Sequence, residues 1–142
     1  MSEKIKGRVL GVDAGTVRTG LAVSDESGFL ASALCTIKAG GFRSLAAMIA
    51  EKAKELNVRL IVIGHPINMN GTLGESSARV HKLQDEINHI CDIPTVLFDE
   101  RCTTMAAANI LNMTNTRGQK RKDVIDNLSA AIILQNYLDS MK

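Results

Sequence analysis

Apolar positions in the first forty residues come in three short runs, 9–13, 20–24 and 31–37, separated by glycine-, serine- and aspartate-containing turns. That alternation of apolar runs and turn residues predicts three strands. The links between them, Gly15-Thr16 and Asp25-Glu26-Ser27-Gly28, are short, which favours antiparallel neighbours. The period then changes. Leu45, Ile49, Ala53 and Leu56 share one helical stripe, with Glu51, Lys52, Lys54 and Glu55 largely outside it, so 42–56 reads as an amphipathic helix. Leu60-Ile61-Val62-Ile63 is a continuous apolar run typical of a strand buried on both faces. After the loop from His65 to Gly71, Thr72 and Glu75 resemble a capping box, and Val80, Leu83, Ile87 and Ile90 hold helical register up to Asp92-Ile93-Pro94. A strand over 95–98 follows, then a helix capped by Thr103 or Thr104 and rich in Ala106, Ala107 and Ala108. Residues 112–122 are polar, basic and contain glycine, which predicts a mobile loop, and a last helix is expected from about 124 to 140. The order β-β-β-α-β-α-β-α-α describes an α/β protein whose mixed sheet carries helices on its faces.

Composition narrows the class. At 142 residues, 45% of them hydrophobic, the chain fits one domain spanning 1–142 with a real core. No apolar stretch reaches the length of a membrane span, and the opening Met1-Ser2-Glu3-Lys4-Ile5-Lys6 lacks the apolar segment of a secretory signal, so a cytoplasmic protein with no membrane partner is expected. Cys35, Cys91 and Cys102 are odd in number and have neither C-x-x-C spacing nor a zinc-spaced histidine, which argues against a disulfide framework and a structural zinc. The net charge of +2 does not announce nucleic-acid binding, but the charge is uneven: Arg117, Lys120, Arg121 and Lys122 cluster late in the chain and form the strongest candidate phosphate-binding element. Phe29, Phe42, Phe98 and Tyr137 are the only aromatics, too few and too scattered for a platform that stacks successive bases.

Three acids stand where core elements ordinarily carry none. Asp13 lies between two apolar strand-like segments, Glu100 follows Thr95-Val96-Leu97-Phe98, and Asp126 stands near the start of the last apolar helix. Each alone has an ordinary explanation as a turn or cap residue. Together they suggest a shared cation site, since two carboxylates about 4 Å apart repel by roughly 4 kcal/mol at an effective dielectric of about 20. Hard oxygen donors with no thiolate or histidine cluster point to Mg²⁺ or Mn²⁺, and such a site suits phosphodiester hydrolysis with no protein nucleophile. Active sites of open α/β sheets lie beyond the carboxyl ends of the strands. Asp13 ends the first strand and Glu100 follows the fifth, so the last helix must bring its amino end to the same rim. Two rival readings use the same residues: Asp13-Ala14-Gly15-Thr16 as the phosphate loop of an actin-like ATP-binding fragment, and a non-catalytic nucleic-acid or ribosome-associated module relying on the basic cluster.

Four segments together resemble one family. They are Gly11-Val12-Asp13-Ala14-Gly15-Thr16-Val17-Arg18-Thr19-Gly20-Leu21-Ala22, Gly64-His65-Pro66-Ile67-Asn68-Met69-Asn70-Gly71, Asp99-Glu100-Arg101-Cys102-Thr103-Thr104, and the stretch from Asp126 to Asp139. In this order and over nearly the whole chain they resemble the YqgF/RuvX family, bacterial proteins assigned as pre-16S rRNA nucleases and also proposed as Holliday junction resolvases. The resemblance implies an RNase H-like fold: a five-stranded sheet ordered 3-2-1-4-5, with the second strand antiparallel. It implies that Asp13, Glu100 and Asp126 are the catalytic, metal-binding acids, with Mg²⁺ or Mn²⁺ as cofactor. It implies a nucleic-acid partner, either precursor rRNA, alone or within ribosomal precursor particles, or branched DNA, and a monomer or homodimer. Arg18, Asn68, Gly71, Arg101 and Thr103 match motif positions, and Arg18, Asn68, Arg101 and Thr103 are the further nucleic-acid-binding candidates. Cys102 and His65 depart from the pattern, which has leucine and an apolar or aromatic residue there. Asp123, one helical turn before Asp126, is read as a cap.

Overall fold

The computed structural model of the chain describes residues 7–14, 18–38, 40–65, 75–99 and 118–141. Five strands and three helices lie within them: β1 (Arg8–Ala14), β2 (Thr19–Ser24), β3 (Ala31–Ile37), α1 (Phe42–Glu55), β4 (Val58–His65), α2 (Glu75–Ile90), β5 (Thr95–Asp99) and α3 (Gly118–Ser140). The sheet runs β3-β2-β1-β4-β5. β2 is antiparallel to both β1 and β3, while β4 is parallel to both β1 and β5. The expected order and the antiparallel second strand are therefore observed. The expected alanine-rich helix after Thr103 or Thr104, and the Thr72 cap, lie outside the described residues.

Alternation along the central strands sends neighbouring side chains into two cores. Leu10, Val12, Leu21, Ile61 and Ile63 face α1 and α2, meeting Ala46, Ile49, Ala53, Val80, Leu83 and Ile87. Val9, Ala22, Leu60 and Val62 face α3, meeting Ala130, Ile133, Leu134 and Leu138. Because Ile61, Val62 and Ile63 are all fully buried, β4 is apolar at every position there, and each such side chain contributes roughly 1.5–3 kcal/mol by leaving water. β4 is longer than the apolar run that announced it. It starts at Val58, and Arg59, which breaks the pattern, lays its stem directly over Gly7, where φ is +117° and a side chain would collide with it.

The C-terminal helix differs most from expectation. It begins at Gly118, not near residue 124, so Lys120, Arg121 and Lys122 belong to its first turns and not to a loop. Gln119, Lys120, Arg121 and Lys122 are all good helix formers, which is the local reason. Asp123 is consequently inside the helix and does not cap it. Among the described residues, no helix is both long and apolar enough to cross a membrane.

Candidate active site at the carboxyl rim of the sheet

β1, β4 and β5 are parallel, so Ala14, His65 and Asp99 mark one end of the sheet. Asp13 is the penultimate residue of β1 and half-buried. Its place in the alternation, two after Gly11, puts it on the α3 face. Two of its neighbours on that face are glycines. Gly20 of β2 pairs directly with Asp13, and Gly64 follows Ile63, the partner of Val12 on β4. Glycines inside strands commonly mark the close approach of a ligand or of another backbone. Both are legible in the sequence only once the register is known. Phe98, paired with Gly64, walls the α3 side of β5, its ring edge-on to Tyr137 at 5.7 Å. Burial raises the Tyr137 phenol above its ordinary value, so it is neutral and packs as an aromatic wall.

The direction of α3 follows from what it touches. Leu134 and the Ala130 carbonyl lie over Gly11, so close that a side chain there would come within 2.8 Å of Leu134 Cβ. Gln135, the next residue, reaches the opposite end of the sheet. The Ala31 amide donates to its Oε1 at 2.9 Å, and its Nε2 donates to the Phe29 carbonyl at 3.1 Å, both at the start of β3. α3 therefore runs from the carboxyl rim toward the amino ends of β1 and β4. Asp126 is four residues, one turn, before Ala130 in the helix, on the rim side of Gly11. One helical turn and two strand residues cover similar distances, about 6 and about 7 Å.

Arg18 immediately precedes β2, whose first residue pairs with Ala14, so it stands at the same rim. Asp25, one conceivable partner for it, is at the far end of β2 and occupied: it accepts from Ser27 Oγ and from the Phe29 and Leu30 amides, and these bonds hold its carboxyl below its ordinary range. Glu100, Asn68, Gly71, Arg101, Thr103 and Arg117 lie outside the described residues, and Asp126, Lys120, Arg121 and Lys122 are described by their helical backbone. Among the described residues no three acids, histidines or cysteines form a metal-holding group. His65 does not turn toward Asp13. It is on the α2 face, hydrogen-bonded to Ser77.

The comparisons with known proteins agree with this geometry. The family model described as RuvX, Holliday junction resolvase, matches residues 7–140. A protein of Bacillus cytotoxicus is 40% identical over 135 residues, covering 94% of this chain and 98% of its own length. One of Thermoanaerobacter pseudethanolicus is 41% identical over 136 residues, covering 95% and 98%. Both bear the name pre-16S rRNA nuclease, given provisionally. Among solved structures, Thermus thermophilus RuvC bound to a Holliday junction substrate superposes with a TM-score of 0.63 at 14% identity, over 94% of this chain and 96% of that one. At that identity the likeness establishes the RNase H-like fold alone. The family match, spanning every described strand, and the two relatives identical at two positions in five together make this chain a member of the RuvX family.

Proposed function

We propose that this protein is a divalent-metal-dependent nuclease that hydrolyses phosphodiester bonds in precursor rRNA, with Asp13, Glu100 and Asp126 as its acidic centre. The observation that carries the reading is the convergence of three elements at one end of the sheet. Asp13 sits on the α3 face of β1 between two glycines, Glu100 follows the last residue of β5 in the chain, and α3 leads away from that rim with Asp126 one turn before its contact with Gly11. Relatives at 40% and 41% identity are named for pre-16S rRNA, which favours that substrate.

The donor set fits the ion. Three carboxylates and no thiolate are hard oxygen ligands suited to Mg²⁺ or Mn²⁺. A bound divalent ion supplies Lewis acidity at the scissile phosphate and lowers the pKa of water. The chain's own residues do the rest. Asp13, Glu100 and Asp126 hold negative charge where a cation is needed, and glycines at positions 20 and 64 place no side chain beside Asp13 on that face. Arg18, Arg101, Asn68 and Thr103 would orient the backbone, Arg18 and Arg101 through guanidinium forks that match phosphate oxygens. Arg117, Lys120, Arg121 and Lys122 add sequence-independent attraction. Lys120 to Lys122 near a helix amino end oppose the helix dipole, an arrangement that a bound polyanion relieves.

The test offers precursor rRNA and a four-way DNA junction side by side to the purified protein and to Asp13→Asn, Glu100→Gln and Asp126→Asn, with Mg²⁺ and with Mn²⁺. Each substitution should lower cleavage by about two orders of magnitude or more, ~2.7 kcal/mol of barrier, while leaving the circular dichroism spectrum unchanged. Wild-type rates in all three reject the centre. The family's description favours a second reading, resolution of branched DNA. Junction cleavage in preference to the RNA, by a protein that sediments as a dimer able to present two sites, would select it.

A further inference from the structure

On the face of the sheet opposite α3, at the same rim, His65, Ser77, His81 and Asp99 form a polar cluster that the nuclease chemistry leaves unused. His65 ends β4 and pairs in register with Asp99, which ends β5. Its Nε2 lies 2.6 Å from Ser77 Oγ, a hydroxyl in the first turn of α2 that is 1% exposed. One turn further along α2, the His81 ring meets the His65 ring at 5.0 Å and 84°. His65 and Ser77 stand at the two ends of the connection from β4 to α2, so their bond fastens the start of that helix to a strand lying between β1 and β5.

We infer that His65 and Ser77, with His81 beside them, form a proton-sensitive tie, which holds the first turn of α2 to the end of β4 while the His65 imidazole is neutral and loosens when it is charged. A neutral imidazole serves the Ser77 hydroxyl as donor or acceptor, whereas a charged one can only donate. The His81 ring, 5.0 Å away, disfavours a positive charge on His65, while Asp99 favours one. Among the described residues the charged or titratable groups acting on His65 are His81 from α2 and Asp99 from β5. Lys82 is drawn instead to the Phe42 ring of α1, 5.2 Å from its centroid. Burial first, and His81 next, hold the His65 imidazole below its ordinary value, with Asp99 opposing. The sign follows. An unfolded chain protonates His65 at about pH 6.5, the folded chain only at lower pH, so the tie is at full strength above that value and weakens as pH falls from it toward the native pKa.

The inference is independent of the proposed nuclease activity, and so is its test, which uses neither substrate nor metal. Amide hydrogen exchange of the intact protein, corrected for intrinsic rates, is followed in the first turns of α2 at about pH 8 and about pH 5.5, either side of the imidazole range, with the last turns as internal reference. Relative protection of the first turns should fall at the lower pH while that of the last turns stays constant. His65→Gln, which retains a donor for Ser77 but gains no charge, should remove the pH dependence. Ser77→Ala should show low protection at both pH values. Equal protection of the wild type at both pH values, or the same pH-driven loss in His65→Gln, overturns the tie. Should a variant fail to fold, nuclear magnetic resonance titration of the wild-type imidazoles decides: a His65 midpoint below that of free imidazole in a peptide supports it, and one at or above that value refutes it.

Discussion

At the scale of single residues, Ser24 shows how a polar side chain closes a gap in the backbone. The β1–β4 register slips between Arg8 and Val9, and the Val9 amide there donates to Ser24 Oγ at 2.8 Å, which in turn donates to the Asp25 carbonyl at 2.9 Å. Ser24 is 2% exposed, so water does not replace it. Ser24→Ala should therefore cost about 1–3 kcal/mol, the penalty for an unsatisfied buried donor, read as a lower urea midpoint with an unchanged slope. The sequence offers Ser24 only as the end of a strand. Its role depends on a register that no local pattern encodes. Asp13 is the reverse case: a carboxylate in an apolar strand is conspicuous in the sequence itself, whereas its two glycine neighbours become visible only when β2 and β4 are laid beside β1.

Among the elements, α3 is the most informative. Its start at Gly118 moves Lys120, Arg121 and Lys122 from an expected loop onto a helix, and its direction sets which end of the sheet Asp126 approaches. Close packing of Leu134 on Gly11 fixes its height over β1. Gly11→Val would force side-chain atoms into Leu134 and the Ala130 carbonyl, whose nearest approaches to an added Cβ are 2.8 and 3.2 Å, and should cost about 1–3 kcal/mol as overpacking. Because the displaced helix carries Asp126, nuclease activity should fall more steeply than the unfolding midpoint, which parallel assays of cleavage and thermal unfolding would measure. Gln135 is a second anchor, tying α3 to Ala31 and Phe29. Together with the irregular pairing of β2 and β3 at Leu21 and Ala22, it occupies part of the open edge of the sheet, where an unbroken row of backbone groups would invite another chain.

For the molecule as a whole, charge matters more in its distribution than in its sum of +2. Replacing Arg117, Lys120, Arg121 and Lys122 by glutamine should weaken nucleic-acid affinity with little dependence on sequence and flatten the plot of log affinity against log salt by roughly 0.7–0.9 for each phosphate no longer neutralised. An unchanged slope in a salt titration would remove the cluster from the binding surface. The sequence alone determined the five strands, α1 and α2, the class of fold and the acids that stand out, because periodicity, glycine and a charge in an apolar run are local signals. The start of α3 is not legible in the same way, because Gln119 to Lys122 are good helix formers whose basic charge disfavours a helix amino end, and only the helix they continue into decides. Tertiary structure alone decided the register that surrounds Asp13 with glycines, the sense of α3 and the turning of His65 toward Ser77. Each depends on which distant segments meet, and that is settled by burying two faces of one sheet at once.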